Sequence, residues 1–422
     1  MKKNSKISEF YKKSQDERIN LVQDFADLSV EDVALLKNST PAFSAINRLA
    51  ENVIAAFYLP LGIVTNFLIN GKNYLIPMVT EESSVIAGVS NAAKFARACG
   101  GFTATSTIPL MIGQIQLVGI SDFEKAKNEI EKNKLILIEM ANKQDPVLLQ
   151  LNGGAIDIEA RGLDTERGRM LIVHLIINVK DAMGANIVDT MLEKISPMLE
   201  DLSGGRRLLR IVSNFAIKRI ACAKAKWSKD EIGEDVIENI LDAYAFAKAD
   251  IFRCATHNKG IMNGIDAVAI ATGNDFRAIE AGAHSFAMQD NSYRPLTSYY
   301  KDENGDLVGE IKLPMAVGIV GGSTYANKVS KLCLKILRVK SASELSEVMA
   351  AVGLAQNFAA LRVLVGEGIQ AGHMKLHAKK IAINCGASNG DVDLIASKMV
   401  SEKNISINRA KEILDQLKKD RG

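Results

Sequence analysis

The chain is sparing with cysteine: Cys99, Cys222, Cys254, Cys333 and Cys385 are the only five, and no two form a Cys-x-x-Cys pair. Thiols this far apart give neither a disulfide framework nor a zinc knuckle, and they suit a reducing cytoplasm. No run of about eighteen apolar residues is present, and Met1 to Asp16 is basic and polar, so neither a membrane span nor an export signal is expected. No segment recurs at a period of about 20 to 50 residues, which removes solenoids and propellers. An excess of one charge is missing too. Lys plus Arg total 52 against 49 Asp plus Glu, and a net charge of +3 leaves no footprint for nucleic acid or an anionic membrane.

What is present is the composition of a folded protein, with 47% hydrophobic and 24% charged residues, and 422 residues predict two or three domains. Short amphipathic helices are expected over 16–26 and 29–36. Asn70-Gly71 between two apolar runs signals a hairpin whose second strand covers Tyr74 to Val79. From Gly113 to Asn214 six elements follow in order: strand 114–120, one long charged helix 121–143, strands 155–160 and 170–179, helix 182–199 and strand 208–214. This β-α-β-β-α-β order is the ferredoxin-like pattern of two helices on a four-stranded antiparallel sheet. Helix-rich sequence then resumes, and two short helices, 392–401 and 406–417, close the chain. The expected class is α+β. A helix-rich large domain covers 1–112 and 215–369, the ferredoxin-like domain is inserted at 113–214, and a small helical unit covers 370–422.

Several segments carry residues suited to chemistry. Ala255 to Asp266 sets His257, Lys259 and two Asn among small residues. A lysine there can polarise a carbonyl, although a polar loop capping a helix is the commoner use of such residues. Ala271-Thr272-Gly273-Asn274-Asp275 adds a carboxylate. On one straight helix Lys259 and Asp275 would stand about 24 Å apart, so the chain must turn back if they are to pair. Glu81-Glu82-Ser83-Ser84 puts adjacent carboxylates at a strand end, suited either to a general acid or to an ordinary helix N-terminus. In Asp181-Ala182-Met183-Gly184-Ala185-Asn186 the Asp can cap a helix and the Gly lets a pyrophosphate approach free N–H groups. Neither this segment nor Gly318-Ile319-Val320-Gly321-Gly322 has the Gly-x-Gly-x-x-Gly spacing of a Rossmann dehydrogenase. His373 and His377 share an i, i+4 spacing, but no His-Glu-x-x-His accompanies them and no metal site is expected.

Taken together and in order, these segments, with Glu51-Asn52-Val53-Ile54 ahead of them and Gly372 to His377 behind, resemble class II, bacterial-type 3-hydroxy-3-methylglutaryl-coenzyme A (HMG-CoA) reductases over nearly the whole chain. The resemblance implies interconversion of HMG-CoA and mevalonate, with release of coenzyme A and two hydride transfers. It implies that Lys259 polarises the thioester carbonyl, Glu82 donates a proton, Asp275 holds Lys259 and tunes Glu82, and His373 protonates the departing thiolate. Ser84, Arg253, Asn263 and Gln356 would contact the acyl-CoA. Asp181, Met183, Gly184, Ala185, Asn186 and Asn214 would line the cofactor within the inserted domain. Residues from about 370 would form a flap over the thioester, and active sites would be shared between subunits of a homodimer or a higher assembly of dimers. Asp145 matches a position where NAD-preferring relatives carry Asp, and a carboxylate there would accept ribose hydroxyls and repel a 2′-phosphate; NAD is expected, with NADP the alternative. Ser83, Ala55 and Ala155 depart from the Pro and two Gly usual in relatives, which bears on loop geometry.

Two other functions use the same residues. A Schiff-base lyase would employ Lys259 as its nucleophile and be trapped by borohydride. A silent acyl-CoA-binding protein would bind HMG-CoA without oxidising NADH.

Overall fold

A computed structural model describes residues 3–38, 46–47, 49, 51–289, 291–321, 327–366, 378–402 and 404–419. Two capped helices come first, α1 (Gln15–Ala26) and α2 (Val30–Lys37). In each, a Ser accepts from the N3 backbone while the N3 acid reaches back to the cap, satisfying two donors that a helix start leaves open. The hairpin forms as expected. β1 (Leu61–Ile69) and β2 (Lys72–Val79) are joined by Asn70 and Gly71, whose φ values of 49° and 76° are those of a tight turn matched to strand twist.

After α3 (Val85–Ala98) and β3 (Phe102–Ser106) the chain leaves this sheet for a second one. The second unit comprises β4 (Leu110–Val118), α4 (Phe123–Lys132), α5 (Lys134–Asn142), α6 (Pro146–Gln150), β5 (Gly154–Thr165), β6 (Gly168–Asn178), α7 (Ala185–Ser203) and β7 (Arg206–Ser213). Its four strands run in the order β5-β6-β4-β7, all antiparallel, which is the ferredoxin-like arrangement. Two details differ from expectation. The long charged helix is broken at Asn133, whose side-chain amide donates to Glu129 O at 2.8 Å and competes with the helical ladder. A further short helix, α6, starts at Pro146 with Asp145 as its cap.

The chain then returns to the first sheet at β8 (Ile220–Trp227), which pairs with β3 from Phe102↔Ala225 to Ser106↔Ala221. The second unit therefore interrupts the first between two neighbouring strands. The short α8 (Lys229–Ile232), α9 (Glu234–Ala249), α10 (Ile251–Ala271) and α11 (Phe276–Ala287) follow. The two-residue strands β9 (Met288–Gln289) and β10 (Ser292–Tyr293) lead to β11 (Thr297–Lys301) and β12 (Leu307–Pro314), completing a six-stranded sheet of order β11-β12-β8-β3-β1-β2.

Two more helices, α12 (Lys328–Leu337) and α13 (Ala342–Val365), complete the main unit. By length and composition α13 is apolar enough to cross a bilayer, yet 72% of its most apolar window is buried inside the protein. It is the core helix that α3, α10 and the sheet close around: Trp227 stacks on Phe358 at 4.0 Å and donates its indole N–H to Ala92 O. Two glycines let α10 and α13 approach. A Cβ on Gly353 would lie 2.8 Å from Ile265, and one on Gly264 would lie 2.9 Å from Gln356. Near the C-terminus α14 (Asn389–Ser401) and α15 (Ile407–Lys419) share a small core of their own around Ile395, Met399 and Ile413.

Candidate active site

Close packing of α10 on β2 and α3 determines which side chains meet. Glu82 lies in the turn that leaves β2, where its N–H donates to Thr80 Oγ1. Lys259 and Asn263 stand one turn apart on α10 and so share a face. Lys259 Nζ is 2.9 Å from Glu82 Oε2, and Asn263 Nδ2 donates to the same oxygen at 3.2 Å. Lys259 keeps 62% of its side-chain surface, so the pair faces open space and not a closed interior. The segment read as a loop or an active site is thus a helix, and its His257 does not face this space. His257 is buried, its Nε2 lies 2.7 Å from Thr297 Oγ1, and burial pushes it down to about 3, which keeps the ring neutral.

Ser84 holds the N-cap position of α3 in a left-handed conformation, φ 77°, and its hydroxyl makes no capping bond. A non-glycine residue in this region is strained, and Ser84 is exposed two residues after Glu82. Gln356 reaches α10 opposite Gly264, next to Asn263, and its buried Oε1 has no hydrogen-bond partner among the described residues. A buried acceptor without a partner costs stability. Arg253 is half-buried six residues before Lys259 on α10, its backbone N–H donating to Asp250 Oδ1.

Asp275 is elsewhere. The expected bond to Lys259 is not formed within the chain, because α10 runs on to Ala271, about 18 Å along the axis from Lys259. The carboxylate instead caps α11, accepting from Arg277 N and Ala278 N at 3.1 Å each. Its neighbour Asn274 clasps Gly318, accepting from its N–H at 2.7 Å and donating to its carbonyl at 3.1 Å. Gly318 in turn packs on the Asp181–Gly184 turn: a Cβ there would meet Met183 N at 2.5 Å. Asp275 therefore belongs to the surroundings of that turn. His373 and His377 lie outside the described residues, as does Gly322.

The Asp181–Asn186 segment joins β6 to α7, but Asp181 is not the cap. Gly184 is, at φ 105°, and a Cβ on it would strike Val179 at 2.6 Å. Asp181 Oδ1 accepts from Ala342 N at the start of α13. With a glycine cap, the start of α7 has no side-chain cap among the described residues, the kind of helix end at which anions can bind. Asn214 approaches α11, where its carbonyl would be 2.7 Å from a Cβ on Gly282. Asp145 stands at the same end of the sheet: Gly153, just after α6, packs between Leu148 and the Asn178 carbonyl, and Asn178 ends β6. One of its carboxylate oxygens is engaged, accepting from Leu148 N at 2.9 Å.

Two groups escaped the sequence reading. Arg219, 4% exposed, lies behind the Ala182–Gly184 turn, where the Asp181 carboxylate faces it electrostatically. Asp266, on the same helical stripe as Lys259 and Asn263, faces Glu280 of α11; Glu280 lies 2.6 Å from His284 Nε2, and His284 Nδ1 lies 2.6 Å from the Tyr293 hydroxyl. Spacing from Lys259 was the available signal for Asp266. A single Arg in a polar-apolar mixture gave none for Arg219.

Comparison with known proteins decides the family. The family model for hydroxymethylglutaryl-coenzyme A reductase matches residues 14–378. The chain belongs to the hydroxymethylglutaryl-coenzyme A reductase family. It is 56% identical to the 3-hydroxy-3-methylglutaryl-coenzyme A reductase of Archaeoglobus fulgidus over 98% of this chain and 95% of that one. A probable reductase of the same name from Borreliella burgdorferi is 35% identical over 88% of this chain and 85% of that one. Among solved structures, the reductase from Streptococcus pneumoniae superimposes with a TM-score of 0.83 at 41% identity, covering 97% of this chain and 99% of that one. The class II enzyme from the same organism, bound to NADPH in open conformations, gives 0.81 at 41% identity, over 96% of this chain and 100% of that one. The class II resemblance and the α+β fold both hold for this reductase-family chain.

Proposed function

We propose that this chain reduces HMG-CoA to mevalonate and free coenzyme A at a site built around Glu82, Lys259 and Asn263. The carrying observation is the Lys259–Glu82 contact at 2.9 Å with Asn263 on the same oxygen, facing open space. A bound nicotinamide dinucleotide supplies hydride. The Lys259 ammonium stabilises the oxyanion that develops as a carbonyl is reduced, and Asn263 fixes the carboxyl of Glu82 for proton donation to that oxygen. Ser84, Arg253 and Gln356 orient the acyl-CoA, the last through its unpartnered Oε1. His373 protonates the leaving thiolate when the C-terminal helical unit closes, which prevents the thiol from adding back to the aldehyde.

The donor set around Gly184 fits a dinucleotide phosphate: an uncapped helix start, a glycine without a Cβ, and the Asp275 and Asn214 segments beside it. NADH is the preferred cofactor in this proposal, since Asp145 brings a carboxylate to that end of the sheet and a 2′-phosphate would be repelled. The Streptococcus pneumoniae relative is bound to NADPH, so the alternative is a real one. A homodimer completes the site. Ile54, Phe57 and Phe252 are 93%, 90% and 83% exposed, apolar side chains that a second copy could cover, and the Asp275 of that copy would then reach Lys259.

Absorbance at 340 nm during mixing of HMG-CoA with NADH or NADPH tests the proposal. Oxidation abolished by Lys259→Ala supports it; a chain that binds HMG-CoA and oxidises neither cofactor is a silent binding protein instead.

A further inference from the structure

Four successive carbonyls in the turn between β6 and α7 are taken up by the protein. Asp181 O accepts from Ile319 N, and Gly184 O from Val188 N, each at 2.9 Å. Between them, Ala182 O and Met183 O accept from Arg219 Nη1 at 3.1 and 3.3 Å. The second terminal nitrogen of the same guanidinium donates to Val317 O. Arg219 is itself fixed: it is 4% exposed, its carbonyl accepts from Met315 N, and it lies immediately before β8.

The direction of these bonds matters. A trans peptide points its N–H opposite to its C=O, so with Met183 O on Arg219 the N–H of Gly184 is turned the other way. The N–H groups of Ala185 and Asn186 follow it in the first turn of α7, which has no side-chain cap among the described residues. The planar guanidinium satisfies three carbonyls from two segments, the 182–183 turn and the 317–318 stretch that carries the Asn274 clasp. An ammonium on a flexible stem has no such fork.

We propose that Arg219 is the positioning residue of the dinucleotide site: it pulls the carbonyls of Ala182, Met183 and Val317 inward, and so presents the Gly184–Asn186 N–H groups to the cofactor phosphates. The Asp181 carboxylate offsets part of its charge, so its contribution is the geometry of the turn, while its own buried side chain stays out of reach of the ligand. This rests on the dinucleotide reading of the loop given above.

The test is direct binding. NADH and NADPH are titrated by fluorescence, and HMG-CoA by calorimetry, against wild type, Arg219→Lys and Arg219→Met. The expected result is a loss of roughly tenfold or more in affinity for both dinucleotides, the scale on which second-tier orienting groups act elsewhere, with HMG-CoA affinity unchanged. In turnover the cofactor KM rises while the HMG-CoA KM holds. Intact HMG-CoA binding certifies the fold, and Arg219→Lys serves if the Met variant does not accumulate. Unchanged dinucleotide affinity in Arg219→Lys overturns the proposal, as does equal weakening of both ligands. Wild-type protein that binds HMG-CoA but neither dinucleotide overturns the loop reading itself, a result distinguishable because no variant is needed to see it.

Discussion

Lys259 and Glu82, 177 residues apart in sequence, meet at 2.9 Å between Nζ and Oε2. The contact joins an exposed ammonium on the outer face of α10 to the turn after β2, and neither side chain supports the core. Lys259→Ala should therefore leave the melting temperature within about a degree, since exposed substitutions usually change stability by under about 0.5 kcal/mol. Turnover should fall at least roughly 100-fold, the cost of removing one group that stabilises an oxyanion. Thermal unfolding and initial rates on the same preparation check both halves.

Asp275 and Lys259 occupy different regions of one chain, so a shared site across two copies has a distinctive signature. Lys259→Ala and Asp275→Asn should each be inactive alone. Co-expressed, they should recover about a quarter of wild-type activity, because random pairing makes half the dimers mixed and each mixed dimer holds one intact site. No recovery in purified mixed dimers would place the partner of Lys259 elsewhere.

The buried Gln356 carbonyl oxygen has no partner, and a thioether of similar size would not leave an acceptor stranded. Gln356→Met should raise stability by about 1 kcal/mol, part of the penalty for an unsatisfied buried group. The KM for HMG-CoA should rise at the same time. A destabilised variant with normal KM would show that the amide serves packing alone.

Burial, and then the facing Glu280 carboxylate, push Asp266 up to about 9, while His284 holds Glu280 below the ordinary carboxylate range. The native state thus keeps a proton on Asp266 at neutral pH that the unfolded chain has lost. Between about pH 4, the ordinary Asp value, and about 9 the folded form binds more protons, so this group's stabilisation is full below that window and declines as pH rises through it. Asp266→Asn should remove that slope, with a melting temperature above wild type by a few degrees at pH 8.5 and equal to it near pH 4. Calorimetry across pH 4–9 shows whether the two curves converge at the acid end.

Asp145 caps α6 through one carboxylate oxygen. Asp145→Ser retains a cap but removes the charge. The ratio of kcat/KM for NADPH over NADH should increase about tenfold or more, as expected when a repelled phosphate is admitted. A ratio that does not move would detach cofactor choice from this residue.

Much of the architecture was legible because its causes are local. Asn70-Gly71 specifies its turn through backbone angles that few other residues adopt, and alternation at 114–120 with the apolar run at 170–179 marks strands whose order selects the ferredoxin-like sheet. The break at Asn133 was hidden, since an amide can either face solvent or bond its own backbone. The family blocks also singled out Glu82, Lys259 and Asn263 from their types and order.

Which of those residues share a space was not in the sequence. Hydrophobic period fixes the face of α10 that carries Lys259, but the approach of α10 to α13 through Gly264 and Gly353, and its packing against β2, brings Glu82 to that face. The same rigid length of α10 carries Asp275 of the same chain away to the Gly184 turn, so within one chain it does not pair with Lys259. Arg219 has no local pattern at all, because three carbonyls from two distant segments define its role. Side-chain type and helical phase are properties of a few neighbouring residues; a contact across 177 residues exists only once every intervening element has packed.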